Sequence, residues 1–192
     1  MRNLAQAGVS DRGRFPGDPR LGEGTIATLL TDELRAWIGR EATYTAPDEL
    51  GAASIRYFAL AVGDDNPLYT DAQYAREAGY SSTIAPPTFI CETNQYVHRE
   101  PNDDGYIGHH WELPIAGCRM VRGGNDYEFF RPVVPSDRIT VVWRLENISE
   151  RISSNGTPML IVFAVATYTN QHGEPLARNR ETLIYQPLAV SR

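Results

Sequence analysis

The first half of the chain places apolar residues at the spacing of an α-helix. Between residues 47 and 62 the apolar positions fall at i, i+3, i+4 and i+7: Ile55, Phe58, Ala59 and Val62. This stripe predicts one amphipathic helix from Pro47 to Val62. Gly63 predicts its end, because glycine tolerates the left-handed conformation that closes many helices.

Three shorter segments also have helical signals. Residues 31–39 begin with a capping threonine and two acids and end at a glycine. Asp71 is placed to cap a helix from Ala72 to Ala78. The sequence Pro86-Pro87-Thr88 is typical of a helix start, and we expect a mostly buried helix from Phe89 to Val97.

After residue 110 the pattern changes to β-branched and aromatic residues. Five runs predict strands: Arg119–Arg122, Asp126–Arg131, Arg138–Ile148, Met159–Thr169 and Glu181–Gln186. Asn155-Gly156 and His172-Gly173 are hairpin turn sequences between them, and Gly123-Gly124 reads as a turn or a bulge. The order predicts an α+β domain, with helices first and then an antiparallel meander whose apolar face the Phe89–Val97 helix covers.

The 192 residues are enough for one domain with an extension. Residues 1–24 are rich in glycine, proline and arginine without periodicity, so we expect a flexible N-terminal arm there and one domain over residues 25–192. No signal peptide is readable, and the longest apolar run, Met159–Ala166, is too short to span a bilayer. A cytoplasmic protein without a membrane partner is therefore expected.

Composition and charge argue against several kinds of partner and catalytic chemistry. The net charge of −6 argues against a nucleic-acid partner, and all 18 basic residues are arginine, which excludes lysine Schiff-base chemistry. Cys91 and Cys118 are too few for a zinc cluster, and two buried, reduced thiols are expected. We expect no metal and no cofactor.

The densest run of polar residues follows the amphipathic helix, from Gly63 to Asp71. Pro67 fixes a turn, and Asn66 and Asp71 can bond neighbouring backbone groups. Taken alone, this run is equally compatible with a loop that only joins two helices.

The segment 58–71 resembles the hydratase motif of MaoC-type (R)-specific enoyl-CoA hydratases and 3-hydroxyacyl thioester dehydratases. The resemblance continues through Tyr74-Ala75, through 84–89 and through 127–139 with its Arg131-Pro132 pair, and it covers about residues 40–188. It implies a single hot-dog domain, in which a long central helix is wrapped by a curved antiparallel sheet and which usually pairs with a second hot-dog domain.

The resemblance also implies a mechanism. Active members use an Asp and a His five residues apart to activate water, and a glycine N–H to stabilise the thioester oxygen. Asp64 keeps the carboxylate and Asn66 the supporting amide, but Tyr69 stands at the His position and Pro87 at the glycine position. Tyrosine is a poor proton acceptor at pH 7, and proline has no N–H to donate. The chain thus resembles the N-terminal MaoC dehydratase-domain type, in which a partner supplies the catalytic pair.

Histidine, glutamate and tryptophan residues elsewhere in the chain are further candidates for a functional site. His98, His109 and His110 flank a glycine-containing loop and are expected to be solvated. Glu92 lies on the expected central helix, where hot-dog thioesterases carry a carboxylate. The tryptophans Trp37, Trp111 and Trp143 are expected to pack in the core or at an interface.

The leading hypothesis is enoyl-CoA hydration or 3-hydroxyacyl-thioester dehydration by a subunit whose own half-site, Asp64, Asn66 and Tyr69, is degenerate. Pro87 and Thr88 would open the central helix beside the channel for an acyl-CoA or acyl-carrier-protein thioester. The expected assembly is a homodimer, or a heterodimer with a catalytic MaoC subunit. The alternatives are an enzyme active alone by a modified mechanism, a hot-dog thioesterase using Glu92, and a non-catalytic thioester-binding module.

Overall fold

A computed structural model describes residues 28–188 of the chain. The predicted arm, residues 1–24, lies outside the described residues. Within them the chain forms three short α-helices, three 3₁₀ helices and one five-stranded antiparallel sheet. The α+β prediction is therefore confirmed.

The starts of the first two helices are set by different hydrogen bonds, a side-chain cap in α1 and backbone bonds to distant residues in α2. Helix α1, Asp32–Arg35, is capped by Thr31, whose hydroxyl oxygen accepts from the Leu34 N–H at 3.2 Å. Helix α2, Ala52–Val62, starts later than predicted, because the N–H groups of Leu50 and Gly51 instead donate to the carbonyls of Asp137 and Pro135.

Helix α2 ends as predicted at Gly63, which is left-handed with φ 71°. Its predicted apolar stripe is only half buried. Ile55 and Ala59 are in the core, whereas Phe58 is half-buried and Val62 is 57 % exposed. The helix thus leaves an apolar surface in solvent.

Helix α3, Ala72–Glu77, follows a 3₁₀ turn at Pro67–Tyr69. Asp71 caps it as predicted, since its carboxylate accepts from the N–H groups of Gln73 and Tyr74 at 2.8 and 3.0 Å.

The segment predicted as one helix from Phe89 to Val97 forms two 3₁₀ helices, Pro87–Glu92 and Asn94–Tyr96. The prediction of a single continuous helix is therefore wrong. Thr93 interrupts them in an extended conformation, and the Gln95 side chain donates to the Ile90 carbonyl at 2.9 Å. This bond satisfies a carbonyl that a continuous helix would have bonded along its own backbone. Four residues of the segment are nevertheless buried, as expected for the cover of the sheet: Ile90, Cys91, Gln95 and Tyr96.

The strands are β1 (Glu41–Thr45), β2 (Cys118–Phe129), β3 (Thr140–Ile152), β4 (Pro158–Thr169) and β5 (Pro175–Pro187). Their order in the sheet is β1-β3-β4-β5-β2. The predicted meander holds for β3, β4 and β5, but β2 pairs with β5 at the far edge, and β1 was not predicted. The two strands predicted before and after Gly123-Gly124 are one strand with a bulge between Arg122 and Gly124.

One face of the sheet, called here the inner face, packs against the two 3₁₀ helices. On β3 and β4 its residues are apolar and buried: Val141, Trp143, Leu145, Leu160, Val162, Ala164, Ala166 and Tyr168. The Trp143 indole N–H donates to the Tyr96 hydroxyl at 2.9 Å, which anchors the second 3₁₀ helix on the sheet. The inner face is less well covered towards β2, where residues 119–126 are all exposed.

Candidate functional site

A pocket of about 260 Å³ opens where three distant segments of the chain meet. It is lined by Tyr69, Ile84, Ala85, Pro87 and the run Phe129–Val133. Two backbone hydrogen bonds join these segments. The Ile84 N–H donates to the Leu68 carbonyl at 3.0 Å, and the Ala85 N–H donates to the Val133 carbonyl at 2.7 Å. The pocket therefore has a fixed backbone frame.

The loop after α2 places Asp64 and Asn66 next to Tyr69, and neither of them is among the residues that line the pocket. The Asp64 N–H donates to the Ala59 carbonyl at 2.9 Å, and the Asp64 carboxylate accepts from the Asn66 N–H at 3.2 Å. The Asn66 side-chain oxygen in turn accepts from the Leu68 N–H at 3.1 Å. Asp64 is exposed and Asn66 is half-buried, so both side chains shape the loop while remaining accessible.

Tyr69 is 8 % exposed and is part of the pocket wall. Burial raises the pKa of its phenol above the ordinary value, and the negative charge of Asp64 raises it further, while a bond from the Asn66 side chain partly opposes both effects. The phenol is therefore protonated near pH 7. It can donate or accept a hydrogen bond there, but it does not act as a general base.

Pro87 lines the same pocket, whereas Thr88 is exposed and is not among the lining residues. The segment 84–87 offers the pocket no free backbone donor. The N–H groups of Ile84 and Ala85 are bonded within the frame, and Pro86 and Pro87 have none. Glu92 belongs to the first 3₁₀ helix, and its side chain lies outside what the structure describes.

The opposite wall of the pocket, Phe129–Val133, belongs to the segment that resembles the family but is not among the predicted site residues. Arg131 is held in place by Glu174, to which it bonds at 2.6 Å. The pKa of Glu174 lies below its usual range, first because the Asn170 amide donates to it and then because of Arg131. The Arg131-Pro132 pair was the sequence signal that could have found this wall.

The prediction that His109 is solvated is wrong. His109 is 6 % exposed, stacks on Trp143 at 4.8 Å and meets Trp111 edge to face at 4.5 Å. Its Nδ1 lies 3.0 Å from the Tyr44 hydroxyl. Burial, followed by the charges of Arg99 and His110, lowers its pKa to about 3, so the ring is neutral.

The packing role predicted for the tryptophans is confirmed for Trp111 and Trp143, which are buried, and Trp37 packs partly buried against the core. Cys91 and Cys118 are free thiols, and Cys91 is buried as expected while Cys118 is half-buried. Within residues 28–188 no group of histidine, cysteine or acidic side chains is arranged to hold a metal ion. None of the helices in that range is long and apolar enough to cross a membrane.

The sheet and its short helical segments define the class of protein. The structure is similar to a MaoC-like dehydratase from Rhodospirillum rubrum, with TM-score 0.57 and 18 % identity over 80 % of this chain and 94 % of that one. The hot-dog fold expected from the resemblance is thus confirmed.

Residues 36–179 match the family described as "FAS1-like, dehydratase domain region", and the chain belongs to this family of MaoC-type hot-dog proteins. A "UPF0336 protein" of Streptomyces avermitilis is 37 % identical over 59 % of this chain and 72 % of its own length. A "Probable enoyl-CoA hydratase alpha subunit" of Thermomonospora curvata is 32 % identical over 79 % of this chain, which spans half of that protein.

Two solved complexes from Mycobacterium tuberculosis also have this fold. The ChsH1-ChsH2 complex matches with TM-score 0.62 and 19 % identity over 78 % of this chain and 85 % of that one. The HadBC (3R-hydroxyacyl-ACP dehydratase) complex matches with TM-score 0.56 and 25 % identity over 76 % of this chain and 96 % of that one.

Proposed function

We propose that this chain is a subunit of a hydratase or dehydratase that adds water to 2-enoyl thioesters or removes it from 3-hydroxyacyl thioesters. Its own half-site is degenerate, and a second hot-dog subunit supplies the Asp/His pair. The observation that carries the proposal is the pocket itself. The loop beside the pocket, Asp64–Tyr69, resembles the family motif. The pocket itself, however, has neither a general base at Tyr69 nor a free N–H donor in the segment 84–87.

The missing base follows from Tyr69. A water molecule beside the Asp64 loop would need an acceptor with a pKa near 7, which imidazole provides. A buried phenol with a raised pKa stays protonated there. Tyr69 therefore supports binding in the pocket and not proton abstraction.

The missing donor follows from the segment 84–87. Negative charge develops on the thioester oxygen during the reaction, and losing one N–H donor to such an oxygen typically costs about 2.7–4 kcal/mol of transition-state stabilisation. With two N–H groups used in the frame and two prolines beside them, this wall gives no such stabilisation. We also propose that Thr88 and Glu92 lie along the channel that binds the thioester.

The need for a partner is supported by strand β2. It is a twelve-residue edge strand whose residues 119–126 are exposed on both faces. A long edge with unpaired backbone groups favours pairing with another strand. The ChsH1-ChsH2 and HadBC complexes are assemblies of two named subunits with this fold, and the subunit name of the Thermomonospora curvata relative points the same way. We propose that β2 of this chain pairs with a second hot-dog domain.

Hydration of crotonyl-CoA tests the half-site. The wild-type chain, Tyr69→His, Pro87→Gly and the double variant are compared per folded molecule, with Tyr74→His, an exposed tyrosine of α3, as the matched control. We expect background rates for the wild type and the control and little gain from either single change. The double variant should exceed the sum of the single changes, because base and donor act in one transition state.

Two outcomes would contradict the degenerate half-site. One is robust turnover by the wild type that Asp64→Asn abolishes, which would show an active site with an unrecognised base. The other is a fast Tyr69→His variant, which would show that Pro87 does not stand at the donor position.

Light scattering tests the assembly. The purified chain should be a dimer at micromolar concentration, and Val121→Glu on β2 should weaken it by placing a charged side chain on the paired edge strand of each copy. Thr43→Glu on β1, an exposed position at the opposite edge of the sheet, should leave the dimer intact. A wild-type monomer, or equal effects of the two variants, would contradict pairing through β2.

A further inference from the structure

Two polar residues are buried on the inner face of β5, where the neighbouring strands carry apolar side chains. Asn179 is 2 % exposed and Glu181 is 4 % exposed. Each bonds across to β2. The Asn179 amide donates to the Asn125 side-chain oxygen at 2.9 Å, and Arg122 donates to the Glu181 carboxylate at 2.6 Å. These four residues, Asn125, Asn179, Arg122 and Glu181, are called here the polar patch.

The amide of Asn179 is not fully satisfied. Its side-chain oxygen is buried and has no hydrogen-bond partner within residues 28–188. Rotating the Asn125 and Asn179 amides together would reverse the bond between them and leave the Asn179 nitrogen without a partner instead. In either orientation one polar atom of a buried side chain lacks a partner, which is unfavourable because that atom has lost its hydrogen bond to water.

The polar patch lies on the same face of the sheet as Phe129, the residue of β2 that lines the pocket. The register pairs Phe129 with Ala177, Tyr127 with Asn179 and Asn125 with Glu181, so these side chains share the inner face. The rings of Tyr127 and Phe129 stack with their centroids 5.7 Å apart. Because Phe129 lines the pocket, an aromatic surface leads from the pocket to the patch. Asn125 lies four positions along the strand from Phe129, which corresponds to about 13 Å.

The far end of this surface is bounded by Tyr106. The guanidinium of Arg122 lies 5.8 Å from the centre of the Tyr106 ring. The inner face of β2 thus carries, in order, the pocket, two stacked rings, an amide pair and an ion pair next to a tyrosine. An extended ligand that enters the pocket with its apolar part would place its remainder along this surface.

We propose that the polar patch is a second recognition point for the thioester ligand, at which Asn125 and Asn179 bind an amide or a hydroxyl about 13 Å from the pocket. This inference rests on the proposed function and adds to it the class of group that the ligand carries. An amide or a hydroxyl has both a donor and an acceptor, so it satisfies the unpartnered atom of Asn179 in either orientation of that amide.

The amide or hydroxyl that binds the polar patch can come from two parts of a thioester ligand. The pantetheine arm of a CoA or carrier-protein thioester contains amides, and an acyl chain can carry a hydroxyl. Binding of three ligands to the purified chain, measured by calorimetry, separates them: butyryl-CoA, dodecanoyl-CoA and 12-hydroxydodecanoyl-CoA.

Asn125→Ala is the test variant, because Asn125 is exposed and its loss should spare folding. Asp126→Ala, also exposed and on the outer face of the same strand, is the matched control. Asn179→Leu, checked for folding by its thermal melt, is the second variant. If the pantetheine arm is the source, both inner-face variants bind all three thioesters about fivefold more weakly; if the acyl hydroxyl is the source, only 12-hydroxydodecanoyl-CoA loses about fivefold.

Equal affinities of wild type, Asn125→Ala and Asp126→Ala for all three thioesters would overturn the polar patch while leaving the proposed function intact. Equal weakening by Asn125→Ala and Asp126→Ala would overturn it too, since it would show a general effect on β2. A wild-type chain that binds none of the three thioesters would overturn the proposed function and this inference together.

Discussion

The inner face of the sheet has two unlike halves. The covered half, on β1, β3 and β4, lies under the 3₁₀ segment and is closed by rings such as Trp143 and Tyr96. The open half, on β5 and β2, carries Asn179 and Glu181 and ends in an exposed edge strand. The same face of one sheet thus provides the stability of the fold on one side and, on the other, the surface at which we propose that ligand and partner bind.

The largest contrast is expected for apolar truncations. Leu145 on β3 is fully buried, so Leu145→Ala should lower the free energy of unfolding by about 3 kcal/mol, through lost contacts and the cavity left behind. Met120 on β2 is 48 % exposed, and Met120→Ala should cost less than about 0.5 kcal/mol. Urea denaturation of both variants measures this. Similar losses would show that the open half is also part of the folded core.

A smaller effect should depend on pH. The folded pKa of His109 is about 3 and lies below its ordinary value of 6.5, so the unfolded chain binds the proton first. Stability from this residue is therefore present above pH 6.5 and is lost as the pH falls towards 3. Between pH 7 and pH 5 the loss should be about 2 kcal/mol.

Urea denaturation at both pH values checks this, with His109→Phe as the variant that keeps the ring and removes the titration. His172→Phe, an exposed histidine, is the control and should keep the wild-type pH dependence. If His109→Phe also keeps it, another group in the covered half is responsible.

The smallest contrast lies between two ion pairs that join β2 to β5, one on each face of the sheet. Arg122→Gln should cost about 1–2 kcal/mol, because it removes a charged partner from the buried Glu181 carboxylate. Arg178→Gln, on the outer face, breaks a pair with Glu128 in which both side chains are about half exposed, and it should cost less than about 0.5 kcal/mol. Thermal melts of both variants provide the measurement. Equal costs would show that burial of Glu181 has no energetic consequence.

Local signals in the sequence were enough for much of the helical half. Capping residues and Gly63 act on their immediate neighbours, and the ends they predicted for α2 and α3 are within a residue of those observed. The start of α2 could not be predicted in this way, because it depends on backbone bonds from Leu50 and Gly51 to residues far along the chain.

Local sequence signals were also insufficient for the pairing of the strands in the sheet. Turn sequences predicted the β3–β4–β5 meander, but nothing local in β2 indicates that it pairs with the last strand and not with the next. His109 was misread for a related reason. Its own loop is polar and contains glycine, and the rings that bury it, including Trp143, come from other parts of the fold.

For the candidate site, the resemblance indicated the Asp64–Tyr69 loop and Pro87 because it names contiguous motifs, and of these Tyr69 and Pro87 line the pocket. It did not bring Phe129–Val133 to the same pocket, since that requires the bond between Ala85 and Val133. Nor could it show that the N–H groups of Ile84 and Ala85 are occupied, which is a property of the assembled frame.

The position of β2 at the far edge also has a consequence for the order in which the chain folds. Strands β3, β4 and β5 are joined by tight turns, so their pairing closes short loops and is fast. Pairing β2 with β5 joins Phe129 to Ala177 and Cys118 to Pro187, across the whole β3–β4 hairpin, and its loop-closure entropy is paid only once that hairpin exists. We therefore expect β2 to dock after the β3–β4–β5 meander has formed, following a phase in which the bare edge of β5 is open to strands of other chains and aggregation competes with completion of the sheet.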